Sequence, residues 1–208
     1  MTLDTLDPRT TALVLFDFLN GHVKKNDDAT RSRYAPVVAN AARLLGAARA
    51  HRMVVAYAMA AHRQDNATSG STVRDADNRL RPLAEPEARF PPALHAGTWE
   101  AEVIDELAPL PDDYIVPKYR WSAFFQTYLD LALRTRGVHT IVLSGGSTDV
   151  GIASTAYAAR DMDYSVVIAV DACTSPEVDN HDQLVRRVFP RLARVRNVDA
   201  VLAMLAQA

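Results

Sequence analysis

Four separate runs of consecutive apolar residues constrain the fold of this chain more than any other feature. They are TALVLF at Thr11–Phe16, MVVAYAM at Met53–Met59, TIVL at Thr140–Leu143 and SVVIAV at Ser165–Val170. Each run is apolar throughout instead of alternating with polar residues, which is typical of strands buried on both faces of a parallel sheet. Such a sheet needs helices on both faces to cover it.

Segments with helical character separate these runs along the chain. The predicted helices are Ala35–Ala50, Glu100–Leu107, Ser122–Arg136, Asp149–Asp161, Pro176–Val195 and a terminal helix through Leu205, and two further short strands are predicted at Asp113–Pro117 and Arg196–Asp199. This order predicts an α/β, three-layer Rossmann-like fold with a central, mostly parallel sheet of about six strands and helices on both faces. Residues 61–98 are polar and rich in proline, and they predict a long functional loop, a lid or part of an oligomer contact.

Composition limits the classes of partner. A chain of 208 residues is long enough for one well-packed domain, and we expect a single domain over residues 1–208. The net charge is -2 and Lys and Arg form no cluster, which argues against nucleic acid or an acidic membrane as partner. The sequence shows no signal peptide and no membrane span. The single cysteine excludes an intrachain disulfide and indicates a cytoplasmic location.

Three polar features fall where predicted strands end. They are Asp17, Lys118 and the turn Gly145–Gly151. Because ligands of open α/β sheets bind beyond the carboxyl ends of the strands, we expect these features to meet in one site. Taken singly, each also has a structural interpretation that the residues leave open: a helix cap, a surface charge and a tight turn. The turn contains no phosphate-binding motif.

Two segments carry a family resemblance. TALVLFDFLN, and the block from VPKYRW through LSGGSTDVGIASTAYAARD to VDACTS, resemble the motifs of the isochorismatase-like hydrolases. This superfamily includes nicotinamidases and N-carbamoylsarcosine amidohydrolase. The resemblance covers roughly residues 10–20 and 97–200, and it is weak within residues 61–98.

The resemblance implies roles for individual residues. The family's catalytic aspartate and lysine match Asp17 and Lys118. A cis peptide bond is expected at Gly146–Ser147, and the backbone N–H groups of Ser147 and Gly151 are expected to form an oxyanion hole. The family's nucleophilic cysteine matches Gly151, so the usual covalent acyl-enzyme route is closed here.

No other residue takes over as nucleophile or metal ligand in this interpretation. Cys173 is expected to be a buried structural thiol, and Ser147 is expected to contribute its backbone. The histidines show no metal-ligand spacing; they are His22, His51, His62, His95, His139 and His181. The DxH motif of the metal-binding nicotinamidases is replaced by AMAAHR, and we therefore predict no metal and no cofactor.

A glycine at the cysteine position also occurs in the isochorismatases proper and in the related enzyme that acts on the 2-amino analogue of isochorismate. In having Asp, Lys and Gly together, this chain resembles those enzymes. These enzymes hydrolyse a vinyl ether and need no protein nucleophile. A protonated Asp17 would be the general acid, Lys118 would hold a substrate carboxylate or orient Asp17, and Gly151 would leave room for substrate or water. Two alternatives remain open: a water-dependent amide, imide or ester hydrolase with Asp17 as general base, and a catalytically inactive small-molecule-binding or scaffold homologue.

Further contacts are predicted around this centre. The candidate substrate-binding residues are Asn20, Arg120, Trp121 and Gly146, and Asn20 also matches a motif position that holds the Asp17 loop. The resemblance implies a homodimer or homotetramer, to which the apolar C-terminal segment VLAMLAQA contributes.

Overall fold

A computed structural model describes residues 4–69 and 94–206 of the chain, and within these residues one sheet contains six strands. The strands are β1 Thr11–Phe16, β2 Val54–Ala60, β3 Tyr114–Lys118, β4 Thr140–Gly146, β5 Ser165–Thr174 and β6 Arg194–Arg196. Their spatial order is β3-β2-β1-β4-β5-β6, and every neighbouring pair is parallel. The predicted α/β fold class is confirmed.

Six α-helices connect and cover these strands in the described residues. They are α1 Asn20–Val23, α2 Asp28–Ala50, α3 Leu129–Thr135, α4 Ala153–Asp161, α5 Val178–Gln183 and α6 Val198–Ala206. Short 3₁₀ turns occur at Trp99–Ala101, Asp105–Leu107 and Phe189–Arg191, and π-helical turns occur at Thr148–Ile152 and Leu184–Val188.

The sheet is packed on both faces, which explains its continuous apolar strands. Along β1, Leu13 and Leu15 belong to the core shared with α2 and α6. The alternate residues Val14 and Phe16 belong to the core shared with α3 and α4. Because successive side chains of a strand point to opposite faces, a strand between two helical layers must be apolar at every position.

The helix predicted at Ser122–Arg136 was placed too early, since the observed helix begins at Leu129. The preceding segment satisfies its backbone through side chains: the N–H of Ala123 donates to Thr155 Oγ1 at 3.0 Å. Gln126 has a left-handed backbone with φ of +55°, which interrupts helical geometry.

Other boundaries moved for local reasons. Helix α2 begins at Asp28, well before the predicted start at Ala35, because Asp27 caps it by accepting from the N–H of Thr30 at 2.6 Å. The predicted helix Glu100–Leu107 is instead a pair of 3₁₀ turns. Strand β5 continues past Val170 to Thr174.

The long loop predicted at residues 61–98 lies partly outside the described residues, which omit 70–93. Its two described ends meet, since the N–H of His62 donates to Leu94 O at 2.7 Å and the N–H of Ala96 donates to His62 O at 2.8 Å. Within 4–69 and 94–206, none of the helices is long and apolar enough to cross a membrane.

Candidate active site

Asp17 follows the last residue of β1 and is held by the neighbouring strand β2. Its backbone is left-handed, with φ of +52°, which turns the chain at the carboxyl edge of the sheet. Its N–H donates to Ala58 O at 2.9 Å, and its Oδ1 accepts from the N–H of Ala60 at 2.8 Å. The carboxylate is therefore fixed by backbone groups at the end of β2.

Lys118 is the last residue of β3, and it reaches across the end of β2 to Asp17. Lys118 Nζ donates to Asp17 Oδ2 at 2.7 Å, and the two residues are only 5% and 8% exposed. The ammonium also lies 4.3 Å from the centre of the Phe16 ring. Buried opposite charges lose much of their hydration, and their close contact offsets part of that cost.

The turn after β4 approaches the same pair from the other side of β1. Gly145 has φ of +130°, and a Cβ added to it would lie 2.0 Å from the carbonyl oxygen of Phe16. The peptide bond Gly146–Ser147 is cis. The carbonyl of Ser147 then accepts from the N–H groups of Val150 and Ile152 at 3.3 and 3.1 Å. Only a glycine at position 145 permits this close approach to β1.

The expected space beside Gly151 is absent, and this expectation was wrong. A Cβ added to Gly151 would lie 2.1 Å from Cε1 and 2.4 Å from Cζ of Phe16. Because Phe16 is 1% exposed, its ring is held within the core. The aromatic ring fills the volume that was expected to admit substrate or water.

A polar network secures the turn from the side of β5 and α5. Asp149 accepts from Ser175 Oγ and from Asn180 Nδ2, each at 2.8 Å, and also from Ser147 Oγ. Burial raises the pKa of Asp149, but the hydrogen bonds from Ser147, Asn180 and Ser175 outweigh it and lower the pKa below its ordinary value. The side chain of Ser147 is therefore engaged in holding the turn.

Three other side chains near the site were not identified from the sequence. His181 Nδ1 is hydrogen bonded to Thr148 Oγ1 at 2.9 Å, and burial lowers the pKa of His181. Burial likewise lowers the pKa of His22, on which the charges of Asp17 and Lys118 act in opposite directions.

The third side chain is Tyr34. A Cβ added to Gly146 would lie 2.7 Å from Tyr34 Oη, and burial raises the pKa of this phenol to about 12. These residues lie on helices outside the quoted motifs, and their contacts with the site appear only in the three-dimensional arrangement.

The predicted substrate-binding residues have different surroundings. Asn20 is buried and its Nδ2 donates to Trp99 O at 3.0 Å, while its Oδ1 has no hydrogen-bond partner among the described residues. Arg120 Nη1 donates to Thr68 O at 2.8 Å and to Tyr119 O at 2.6 Å. Trp121 is 62% exposed. Asn20 thus lies three residues after Asp17 and within the fold, whereas Arg120 and Trp121 lie at the surface.

Cys173 lies on β5 beside Gly145, in the interior of the sheet. The thiol is buried, its Sγ is 3.9 Å from Leu143 O, and burial raises its pKa to about 12. A thiol in this state is a poor nucleophile because thiolate is the reactive form. In the described parts of the chain, no group of three His, Cys, Asp or Glu residues has the arrangement to hold a metal ion.

The geometry defines an α/β enzyme with a buried carboxylate–ammonium pair and a glycine-rich turn at the carboxyl edge of its sheet. Comparison with known proteins identifies the family. The sequence-family model named isochorismatase domain matches residues 11–200 of this chain. The isochorismatase family protein YecD of Escherichia coli O157:H7 is 33% identical over 200 residues, covering 96% of this chain and 98% of that protein.

Solved structures agree with this result. An isochorismatase family protein from Burkholderia thailandensis has a TM-score of 0.81 and 31% identity, over 97% of this chain and 98% of the other. A cysteine hydrolase from Pseudomonas syringae pv. phaseolicola has a TM-score of 0.82 and 26% identity, over 97% and 95% of the two chains. The chain belongs to the isochorismatase family, and its reaction class is hydrolysis.

Proposed function

We propose that this hydrolase acts on a small molecule without a cysteine nucleophile, and that it hydrolyses a vinyl ether of the isochorismate type. The observation that carries the proposal is the buried Asp17–Lys118 pair beside position 151, which has no side chain. The pair can bind charge and move a proton, whereas glycine cannot form the covalent intermediate of a cysteine hydrolase.

The general-acid step needs a proton on Asp17, and that proton comes from solvent. In the free protein both oxygens of Asp17 accept hydrogen bonds, from Ala60 and Lys118, which suits an ionised carboxylate. A substrate carboxylate that pairs with Lys118 competes for the ammonium and adds a negative charge near Asp17. We propose that the reacting complex is the one in which Asp17 carries the proton and Lys118 pairs with the substrate carboxylate.

Asp17 then acts as general acid on carbon. Its proton passes to the methylene carbon of the enol ether, whose π electrons form the new C–H bond and leave an oxocarbenium ion. Water adds to the cationic carbon and gives a proton back to the carboxylate of Asp17. In the resulting hemiketal the bond to the ether oxygen breaks, the hydroxyl proton passes to that oxygen, and the ring alcohol leaves while the pyruvate ketone forms. One water is consumed, and no bond to the protein is made.

The backbone is assigned a supporting role. We propose that the N–H groups of Ser147 and Gly151 donate to an oxygen of the substrate, as the family resemblance implies. Asn20 and Gly146 belong to the same region and are proposed as substrate contacts. Arg120 and Trp121 are proposed only for parts of the substrate that extend toward the surface, because Arg120 is tied to the carbonyl of Thr68.

One observation favours the alternative in which Asp17 is a general base on water. Its carboxylate has the hydrogen bonds of the ionised form in the free site. The Phe16 ring does not separate the two reactions, because each consumes a water and the ring occupies the volume beside Gly151 in which that water was expected. General-base help gives about 10²–10⁴-fold acceleration, which suits an activated imide or ester better than an aliphatic amide.

A homodimer or homotetramer remains the proposed assembly, and the cytoplasmic location also stays a prediction. The apolar side chains Val201, Met204 and Leu205 of α6 are buried in this chain's own core. The exposed aromatic residues Trp121 and Phe125 are therefore better candidates for a contact between copies, at 62% and 52% exposure. Light scattering of the purified protein measures the assembly directly, and a monomeric mass would reject it.

The test of the proposed reaction is release of pyruvate from isochorismate, followed by coupling to lactate dehydrogenase. We expect wild type to release pyruvate and Asp17→Asn to lose at least about 10²-fold in rate. Asp163→Asn is the matched control, because Asp163 is exposed and has a similar left-handed backbone, with φ of +60° against +52° at Asp17.

Each result of this assay has a distinct meaning. Activity that survives in Asp17→Asn would remove Asp17 as the acid. An inactive wild type would reject vinyl-ether hydrolysis, and turnover of imides or esters would then support the general-base alternative. Binding of such compounds without turnover would identify an inactive homologue.

A further inference from the structure

Phe16 contacts both glycines that shape the site. Its carbonyl oxygen occupies the space of a Cβ at Gly145, and its ring occupies the space of a Cβ at Gly151. The ring also faces Lys118, with the ammonium 4.3 Å from its centre. One residue on β1 therefore touches the turn and the charged pair at the same time.

A side chain at position 151 is incompatible with this ring. The distances of 2.1 and 2.4 Å from the added Cβ are far below van der Waals contact. The ring has little freedom to move aside, since Phe16 is 1% exposed and packs in the core with Phe124 and Ile152. Close-packed interiors resist such displacement, so Gly151 and Phe16 depend on each other.

The ring also acts on the charge of Lys118. A cation over the face of an aromatic ring is attracted by the ring's negative π face, and the attraction is stronger when water is excluded. Lys118 is almost fully buried, so the ring and Asp17 are its two described stabilising contacts. Phe16 thus holds the ammonium of Lys118 in place while it excludes a nucleophilic side chain from the site.

We propose that Phe16 is a positioning residue that fills the volume of the nucleophile side chain and orients the Lys118 ammonium for an anionic substrate. The glycine at 151 is then the partner of a bulky ring and not merely a lost cysteine. Reintroducing cysteine alone does not restore a cysteine-hydrolase site in this protein. The steric part stands on the fold, and the part that concerns Lys118 rests on the proposed function.

The steric part is tested without substrate by a double-mutant cycle. We expect Gly151→Cys to lower the thermal midpoint sharply, and Phe16→Val combined with Gly151→Cys to recover at least half of that loss, because contacting residues are not additive. The same cycle with Gly151→Ala covers the case in which the cysteine variants do not fold. Additive losses of the thermal midpoint in both cycles would overturn the proposed steric dependence between Phe16 and Gly151. A Gly151→Cys protein as stable as wild type would overturn it as well.

Thiol labelling gives a second measure of the same space. In the double variant the introduced thiol should react with iodoacetamide at neutral pH, at least about tenfold faster than the native thiol, since thiolate access controls the rate. Cys173 is the internal control, because it is buried and burial raises its pKa to about 12. Equal labelling of the Gly151→Cys single variant and the double variant would contradict exclusion by Phe16.

The positioning role is tested by separating KM from kcat in pyruvate release. Phe16→Leu keeps an apolar side chain but removes the ring that orients the Lys118 ammonium, so we expect KM for isochorismate to rise by a larger factor than kcat falls. Phe124→Leu is the control, since Phe124 lies in the same core and its ring faces Tyr164. An unchanged KM in Phe16→Leu would reduce Phe16 to a packing role.

The two proposals fail separately. Absence of pyruvate from wild type rejects the proposed reaction. The melting and labelling experiments still test whether Phe16 excludes a side chain at position 151. Pyruvate release together with additive double-mutant cycles rejects the role of Phe16 alone.

Discussion

Ion pairs at the two ends of the parallel strands, here called the carboxyl edge and the amino edge, differ in their exposure to water. At the carboxyl edge, Lys118 and Asp17 are buried and paired at 2.7 Å. At the amino edge, just before β1, Arg9 pairs with Asp7 at 2.9 Å while the Arg9 side chain is 88% exposed. A buried pair loses hydration that an exposed pair keeps. At the carboxyl ends of the strands, where ligands of parallel α/β sheets bind, both charges of the pair are buried, whereas Arg9 keeps its guanidinium in water.

The largest expected effect comes from breaking the buried pair. Lys118→Met leaves the Asp17 carboxylate buried without its cation, and we expect the free energy of unfolding to fall by about 3–5 kcal/mol. Arg9→Met is the matched change at the amino edge, where solvent screens the pair, and it should have a much smaller effect. Chemical denaturation of both variants measures the difference. Equal losses would contradict the contrast between the two edges.

A second comparison uses a glycine at each edge. Gly145→Ala combines left-handed strain with a Cβ only 2.0 Å from Phe16 O, and we expect a loss of about 3 kcal/mol or more. Gly137, which ends α3 just before β4, has φ of +69° and open space around it. Gly137→Ala should therefore cost only about 1 kcal/mol. A Gly145→Ala protein as stable as Gly137→Ala would show that the turn can move away from β1.

The pH dependence of stability should distinguish the histidines at the two edges. Because burial lowers the folded pKa of His181 below its ordinary 6.5, the unfolded chain binds more protons in mildly acidic solution. Stability is therefore complete above about pH 6.5 and declines as the pH falls toward the lowered pKa. His181→Asn should flatten this decline between pH 7 and 5.

The control for this measurement is His139→Asn at the amino edge, where His139 is exposed. Its free energy of unfolding is compared with that of wild type over the same pH range. A His181→Asn profile with the wild-type slope would assign the decline to other groups, among them His22 and His62, whose pKa values are also lowered by burial.

The smallest expected effect concerns the native thiol. Cys173→Ala should retain pyruvate release within about threefold of wild type, because a buried thiol with a raised pKa takes no part in the reaction. Prolonged exposure of native wild type to iodoacetamide should likewise leave activity unchanged. Loss of activity with modification of Cys173 would return a cysteine to the mechanism.

Residue patterns alone predicted the sheet well, since strands buried on both faces are continuous apolar runs. The positions of Asp17 and Lys118 at strand ends also followed from the sequence, and the structure brings them together. The helix at Ser122–Arg136 was misplaced because Thr155, on another helix, satisfies the backbone of Ala123. A contact between distant segments overrides local helical preference and is not visible in a local pattern.

The filled space beside Gly151 shows the same limit at the site. The sequence shows that position 151 has no side chain, but it cannot show that a ring 135 positions earlier enters that space. The hydrogen bonds of Asp149 with Ser175 and Asn180 are likewise invisible in the sequence, because those partners follow β5 and lie far from Asp149 along the chain. Residue types predict which groups carry chemistry, whereas shape decides what fits around them.

The most direct test of acid catalysis on carbon is the reaction of isochorismate in D₂O, with lactate dehydrogenase converting pyruvate to lactate as it forms. Proton transfer from Asp17 to the methylene carbon requires one deuterium in the methyl group of the lactate, because a carboxyl proton exchanges with solvent. An unlabelled methyl group would mean that the hydrogen came from the substrate itself. That result, or the absence of pyruvate, would contradict hydrolysis with Asp17 as the general acid.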